Sequence, residues 1–186
     1  MYSTPDFRKG LKIELNGEPF IIADFLHVKP GKGGAFVRTT LKSLISGNVI
    51  DRTFRSGEKV DKPDLEEKQM QFLYESDEEY HFMDSETYEQ LFLVEGQLGD
   101  ARNYLQENVT VTLLFHNGKP IGVDVPIFVE LTVTATEPGV RGDTASGATK
   151  PATLETGMTV QVPLFVNEGD ALKIDTRTGK YLERVR

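Results

Sequence analysis

Apolar residues along this chain come in short runs separated by Gly, Pro, Asn and Asp, the pattern of strands and turns. Lys12-Ile13-Glu14-Leu15 and Phe20-Ile21-Ile22 flank Asn16-Gly17, a two-residue hairpin signal. Strands are predicted next over Phe20–Leu26, Phe36–Leu41 and Val49–Phe54, and these short antiparallel strands read as a small SH3-like barrel. Gln69–Tyr74 and Tyr80–Met83 predict further strands on either side of Asp77-Glu78-Glu79. Val109–Phe115 and Ile121–Val125 flank a second Asn-Gly turn at Asn117-Gly118. Short helices are predicted over Ser85–Leu91 and Gly99–Leu105, with Ser85 and Asp100 as candidate caps. Strands with a helix inserted among them suit an OB-type barrel. Over Phe128–Thr136, Val129, Leu131, Val133 and Ala135 fall on one face, with Glu130, Thr132 and Thr134 on the other. Met158–Val166 and a hairpin around Thr176-Arg177-Thr178-Gly179 complete a second OB-type barrel. Polar joints at Asp61–Asp64 and near Pro126 divide the chain into 1–63, 64–127 and 128–186. The fold class is therefore all-β, with three small barrels.

One turn differs from the rest. Lys29-Pro30-Gly31-Lys32-Gly33-Gly34 joins two apolar runs and carries a single long cation at its centre. Pro30 fixes φ, and Gly31, Gly33 and Gly34 permit positive φ while placing no side chain beside the lysine. The predicted hairpin tip holds Lys32 outward and is slim enough to enter a narrow space. A solvated lysine of no consequence is the plain alternative.

Charge sharpens the contrast between the three parts. The net charge is −8, which by itself argues against nucleic-acid binding. Yet residues 1–63 carry 11 Lys and Arg against 7 Asp and Glu, whereas residues 64–127 carry 3 against 14. The lysine loop thus lies in a net-basic part beside a strongly acidic one, as expected of a protein that meets a polyanion at chosen places. Lys29, Arg38, Lys42, Arg52 and Arg55 are the cations nearest the loop in sequence and are candidates for RNA phosphates. Tyr181 and Arg184, three apart near the C-terminus, are candidates for a stacking and a phosphate contact, or for closing the last strand.

Other chemistry finds little support. The chain has no cysteine, so it offers no disulfide and no cysteine-based nucleophile or metal site. His27, His81 and His116 show no metal-ligand spacing and read as ordinary residues; no metal and no cofactor are expected. Gly31-Lys32 lacks the following Ser or Thr of a phosphate-binding loop, and a strand rather than a helix follows. No catalytic residues and no enzymatic activity are predicted. The N-terminus has no signal-peptide core and no run approaches membrane-spanning length, so a soluble cytoplasmic protein without membrane contact is expected.

Val28 through Thr39, Val-Lys-Pro-Gly-Lys-Gly-Gly-Ala-Phe-Val-Arg-Thr, resembles the loop of bacterial translation elongation factor P. The resemblance continues through Ser56–Val60, Glu137–Thr144, Ser146–Ala152, Glu155–Gly157 and Val162–Val166, and so covers essentially the whole chain. It implies an L-shaped, tRNA-like arrangement of an SH3-like (KOW-like) domain and two OB-type domains. It implies binding to the ribosome between the peptidyl and exit sites, beside peptidyl-tRNA, and relief of stalling at consecutive prolines. Lys32 is then the residue that reaches the peptidyl-transferase centre, commonly lengthened by a modifying enzyme, and Lys29, Pro30, Gly31, Gly33 and Gly34 support it. The third domain, with Tyr181 and Arg184, is implied to lie near the other end of the tRNA and the small subunit. A general RNA-binding β-barrel module is the alternative, and a scaffold that binds a protein through the acidic middle part is another.

Overall fold

A computed structural model describes residues 1–139 and 147–186. Part of the Glu137–Thr144 motif, with Arg141-Gly142-Asp143, lies outside the described residues. Strands dominate: there are sixteen among the described residues, against one single-turn helix, α1 (Glu95–Leu98), and two 3-10 turns. Backbone proximity groups the chain into two units, Met1–Glu67 with Leu114–Gly122, and Lys68–Leu113 with Val123–Arg186.

In the first unit, β2 (Lys12–Leu15), β3 (Glu18–Val28), β4 (Phe36–Ser43) and β5 (Val49–Arg55) form an antiparallel sheet in chain order. β1 (Tyr2–Ser3) pairs with β6 (Lys59–Val60) as a separate ribbon. Asn16 and Gly17 both take positive φ, 52° and 78°, as a type I′ turn requires, and Leu15 pairs with Glu18. Phe7, Leu11, Ile13, Phe20, Ile22, Val37, Leu41, Phe54 and Val60 make the core of this barrel. His116 also belongs to this unit, at the end of β10 (Thr110–His116). It is buried and hydrogen-bonded to the Glu14 carboxylate at 2.7 Å, a partnership 102 residues apart that spacing along the chain does not reveal.

The two remaining sheets share one plan. β7 (Leu65–Ser76) lies at the centre of the order β11-β10-β7-β8-β9, with β8 (Glu79–Asp84), β9 (Gln90–Val94) and β11 (Lys119–Asp124). β12 (Phe128–Thr136) lies at the centre of β14-β13-β12-β15-β16, with β13 (Thr149–Leu154), β14 (Thr159–Pro163), β15 (Ala171–Asp175) and β16 (Lys180–Val185). In each, the first strand has the second and third on one side and the fourth and fifth on the other, as the expected pair of OB-type barrels requires.

Two local expectations give way. Ser85–Leu91 is not a helix: residues 85–89 form a turn, and Gln90 begins β9. The Asp84 carboxylate accepts the backbone N–H groups of Glu86 and Thr87, and Tyr88 N–H returns to the Asp84 carbonyl. Asp84 bonds as a helix cap would, but Tyr88 takes positive φ, 62°, and Asp84 N–H donates to the Glu89 carbonyl, which closes a turn instead. Strand pairing of Leu91 with Phe82 and Leu93 with Tyr80 takes the rest. The expected alternation in β12 also fails at its end. The register shifts between Val133 and Ala135, so Val129, Leu131 and Val133 are buried while Ala135 is exposed.

The third sheet ends in a charged clasp. Arg177 donates from Nε and a terminal nitrogen to the two oxygens of Asp175, at 3.1 and 2.9 Å, and its backbone N–H donates at 2.9 Å. The Arg177 side-chain hydrogen bonds hold the Asp175 carboxyl below its ordinary value of 3.8, against the opposing effect of burial. A depressed carboxylate stabilises the fold above its unfolded value and loses that contribution as pH falls through the lower folded value. Acid unfolding of the parent should therefore include a loss of stability below pH 3.8 that Asp175→Asn lacks. Denaturant midpoints measured from pH 2 to 7, on the order of the whole carboxylate range, check this; superimposable curves would count against the clasp.

Candidate functional site

The β3–β4 ladder runs without a break from Asp24 opposite Thr40 to Val28 opposite Phe36. Seven residues, 29–35, close it, so Lys32 sits at the midpoint of the connection. Half of such a loop, about three residues, spans at most roughly 10 Å of extended chain before the lysine side chain begins. Lys29, Pro30, Gly31, Lys32, Gly33 and Gly34 are all exposed. A Cβ added at Gly31, Gly33 or Gly34 would meet nothing within 4 Å. The tip is as thin as the sequence predicts.

The three glycines are not equivalent, however. Only Gly33 takes positive φ, at +99°; Gly31 and Gly34 do not use that freedom. Gly33→Ala should therefore cost about 1–2 kcal/mol of local strain or reshape the turn that aims Lys32, whereas Gly31→Ala should stay within about 0.5 kcal/mol of the parent. Denaturant unfolding of both variants, with amide shifts of residues 29–35, separates the two positions. Equal responses would remove the special role of Gly33.

The basic candidates of β4 and β5 divide between the two faces of the sheet. Register places Arg55 opposite Phe36, Arg38 opposite Thr53 and Lys42 opposite Val49 on one face, with Arg55 nearest the base of the loop. Arg52 pairs with Thr39 on the other face, and its guanidinium lies 5.2 Å from the centroid of the buried Phe54 ring. Arg38 shares its face with two carboxylates. Asp24, Leu26, Arg38, Thr40, Asp51 and Thr53, together with Phe25, Thr39 and Arg52, line an open depression of about 380 Å³. All four cations are exposed, but the nearby acids make the face mixed rather than uniformly positive.

Tyr181 and Arg184 are brought onto one face by a bulge. In an unbroken strand a spacing of three puts side chains on opposite faces. In β16, Tyr181 pairs with Ile174 and Arg184 with Leu172, because the ladder shifts register across Leu182. Tyr181 packs against the core of the third sheet. The Arg184 guanidinium lies over the Phe165 ring at 5.0 Å and 3.5 Å from Asp170. Phe165, 55% exposed, is a platform that sequence reading misses, and nothing in the spacing of Phe165 and Arg184 marks it.

Among the described residues, no group of three or more His, Asp or Glu is arranged to hold a metal ion. No helix of the described residues is long and apolar enough to cross a membrane.

Comparison with known proteins gives a single answer along the whole chain. Residues 3–60 match the family described as "Elongation factor P (EF-P) KOW-like domain". Residues 65–123 match "Elongation factor P (EF-P) OB domain", and residues 129–184 match "Elongation factor P, C-terminal". The chain is 56% identical over 186 residues to the elongation factor P of Natranaerobius thermophilus, covering 100% of this chain and 99% of that one. It is 56% identical over 185 residues to that of Bdellovibrio bacteriovorus, covering 100% and 98%. Among solved structures, it is similar to a eukaryotic translation initiation factor 5A from Methanococcus jannaschii. That likeness has a TM-score of 0.54 at 24% identity and covers 64% of this chain and 88% of the other, a likeness of fold alone.

Proposed function

The chain belongs to the elongation factor P family and is a ribosome-associated translation elongation factor; from that premise we propose that Lys32 is its working residue. It binds beside peptidyl-tRNA, and the loop tip enters the peptidyl-transferase centre against the CCA end. Three domains, 1–63, 64–127 and 128–186, share the binding, with modest contacts combining through fixed spacing. Proline is a constrained and poor nucleophile, so two consecutive prolines seldom reach attack geometry. Holding the CCA end in place lowers that entropic barrier without acid–base chemistry by the protein. The factor is thus not itself an enzyme, and it works in the cytoplasm.

The observation that carries this reading is the tip itself. One exposed cation stands at the centre of a seven-residue connection whose neighbouring glycines leave open space on both sides. Arg38, Lys42 and Arg55 on one sheet face, and Arg52 on the other, supply phosphate contacts around the loop base. Tyr181 and Arg184 supply a contact near the small subunit. A lysine-modifying enzyme acting on Lys32 would extend the reach further, and the open tip presents no obstacle to it.

The experiment is reconstituted translation of a message encoding consecutive prolines, with and without this protein, after intact mass has defined the state of Lys32. Relief of the stall is the expected result. Ribosome binding without relief, by protein shown to carry the modified lysine, would favour a general RNA-binding module instead.

A further inference from the structure

A ladder of rings crosses three strands on the outer face of the second barrel. Tyr74 pairs directly with His81, and His81 with Phe92, from β7 through β8 to β9. The Tyr74 and His81 rings are stacked at 4.5 Å and 18°, and Phe92 follows at 5.9 Å and 42°. Tyr74 and Phe92 are each 50% exposed, and neighbouring Val94 is 45% exposed. Phe72 and Phe82, by contrast, face the core and are buried. A register shift between Phe72 and Tyr74 turns Tyr74 outward, opposite His81. Cross-strand ring contacts help the sheet, yet they do not require so much apolar surface to remain in water.

The segment that carries the ladder is acidic, with Lys68 and Arg102 at its two ends and Arg102 paired with Glu95. From Gln69 to Ala101 the chain contains nine Asp and Glu and no Lys or Arg. Asp77 and Glu78 form the β7–β8 turn, both at positive φ. Glu79 lies on the ladder's own face, its carboxylate 3.5 Å from His81 Nε2. OB-type barrels present this second- and third-strand face to ligands, often oligonucleotides. Rings of this kind can stack on nucleobases and on guanidinium planes. The carboxylates decide between them. They repel a phosphodiester backbone, and they repel a second copy of this chain, which would bring the same acids. They attract and orient guanidinium groups.

We propose that this face docks an arginine-bearing segment of a basic protein. The guanidinium planes lie over Tyr74 and Phe92, and Glu79 with the Asp77-Glu78 turn pairs with their charge. The proposal is independent of Lys32 and of peptide-bond formation, so its failure would leave that reading standing.

The test uses the full chain and an arginine–glycine repeat peptide, with a lysine–glycine peptide of equal charge and oligouridylate as comparison probes. Affinity is read by fluorescence anisotropy, and location by ring resonances of Tyr74, His81 and Phe92. The arginine peptide should bind saturably, shift the three rings and outcompete the lysine peptide. Tyr74→Leu and Phe92→Leu, which keep apolar area and strand pairing, should each weaken it about fivefold and erase the arginine preference. Glu79→Gln should weaken both peptides. No binding, or binding unchanged in the Leu variants, would overturn the proposal. So would oligouridylate shifting the rings, or concentration-dependent dimers in sedimentation that Phe92→Leu disperses.

Discussion

Lys32→Ala is expected to abolish most of the relief at consecutive prolines while leaving ribosome binding largely intact. Positioning accounts for the size of this effect. A reactant displaced by about 1 Å from attack geometry can lose on the order of 100-fold in rate. Removing the group that holds the CCA end should therefore return synthesis at a proline pair to within a few-fold of the no-factor rate, a loss of about 10- to 100-fold. Binding should change much less, because one exposed cation contributes about one phosphate contact to an interface built from several. The measurement pairs stopped-flow peptide-bond formation with ribosome affinity, at two salt concentrations, for the parent and the variant. Equal rates for both proteins would move the activity to the body of the molecule and away from the tip.

The second large effect concerns what the loop stands on. Phe54 is fully buried, pairs across the sheet with Val37, and meets the Phe7 ring edge-to-face at 5.2 Å and 85°. Phe54→Ala should cost about 3–5 kcal/mol. A unit as small as Met1–Glu67 with Leu114–Gly122 has little stability to spare, so the first barrel should lose its cooperative fold. Its strands also anchor the functional loop: Phe54 is one residue from Arg55, which pairs with Phe36 at the loop base. Hydrogen exchange should show protection falling over residues 12–60 while the core around Leu131, Leu154 and Ile174 keeps its own. Phe54→Leu, closer in volume, should lose about 1.5 kcal/mol or less. A Phe54→Ala protein with parent-like exchange in the first barrel would contradict this account.

How much of this was readable from the amino-acid order depends on the range of the interaction concerned. The Asn16-Gly17 and Asn117-Gly118 turns, the strands they join and the lysine-tipped loop follow from local backbone preferences, and each stands where the residues place it. Two neighbouring residues suffice to specify a type I′ turn. The Ser85–Leu91 helix gives way to the β8–β9 hairpin, in which Tyr88 takes positive φ and Leu91 pairs with Phe82. Family membership was carried by whole motifs, and those motifs run the length of the chain.

Facing direction was another matter. Side chains alternate along a strand with a period of two, so one extra residue reverses everything beyond it. Register shifts between Ile22 and Asp24, Phe72 and Tyr74, Val133 and Ala135, and across Leu182 each do this. They expose Ala135, turn Tyr74 toward His81 and set Tyr181 beside Arg184 on one face. Strand pairing likewise separates Arg52 from Arg38, Lys42 and Arg55, which counting along the chain treats as one group. The residue types and the loop chemistry are properties of the chain read in order. Which side chains share a surface is fixed only when distant strands choose their register, because that choice depends on how all the strands of a barrel pack together and not on any single strand.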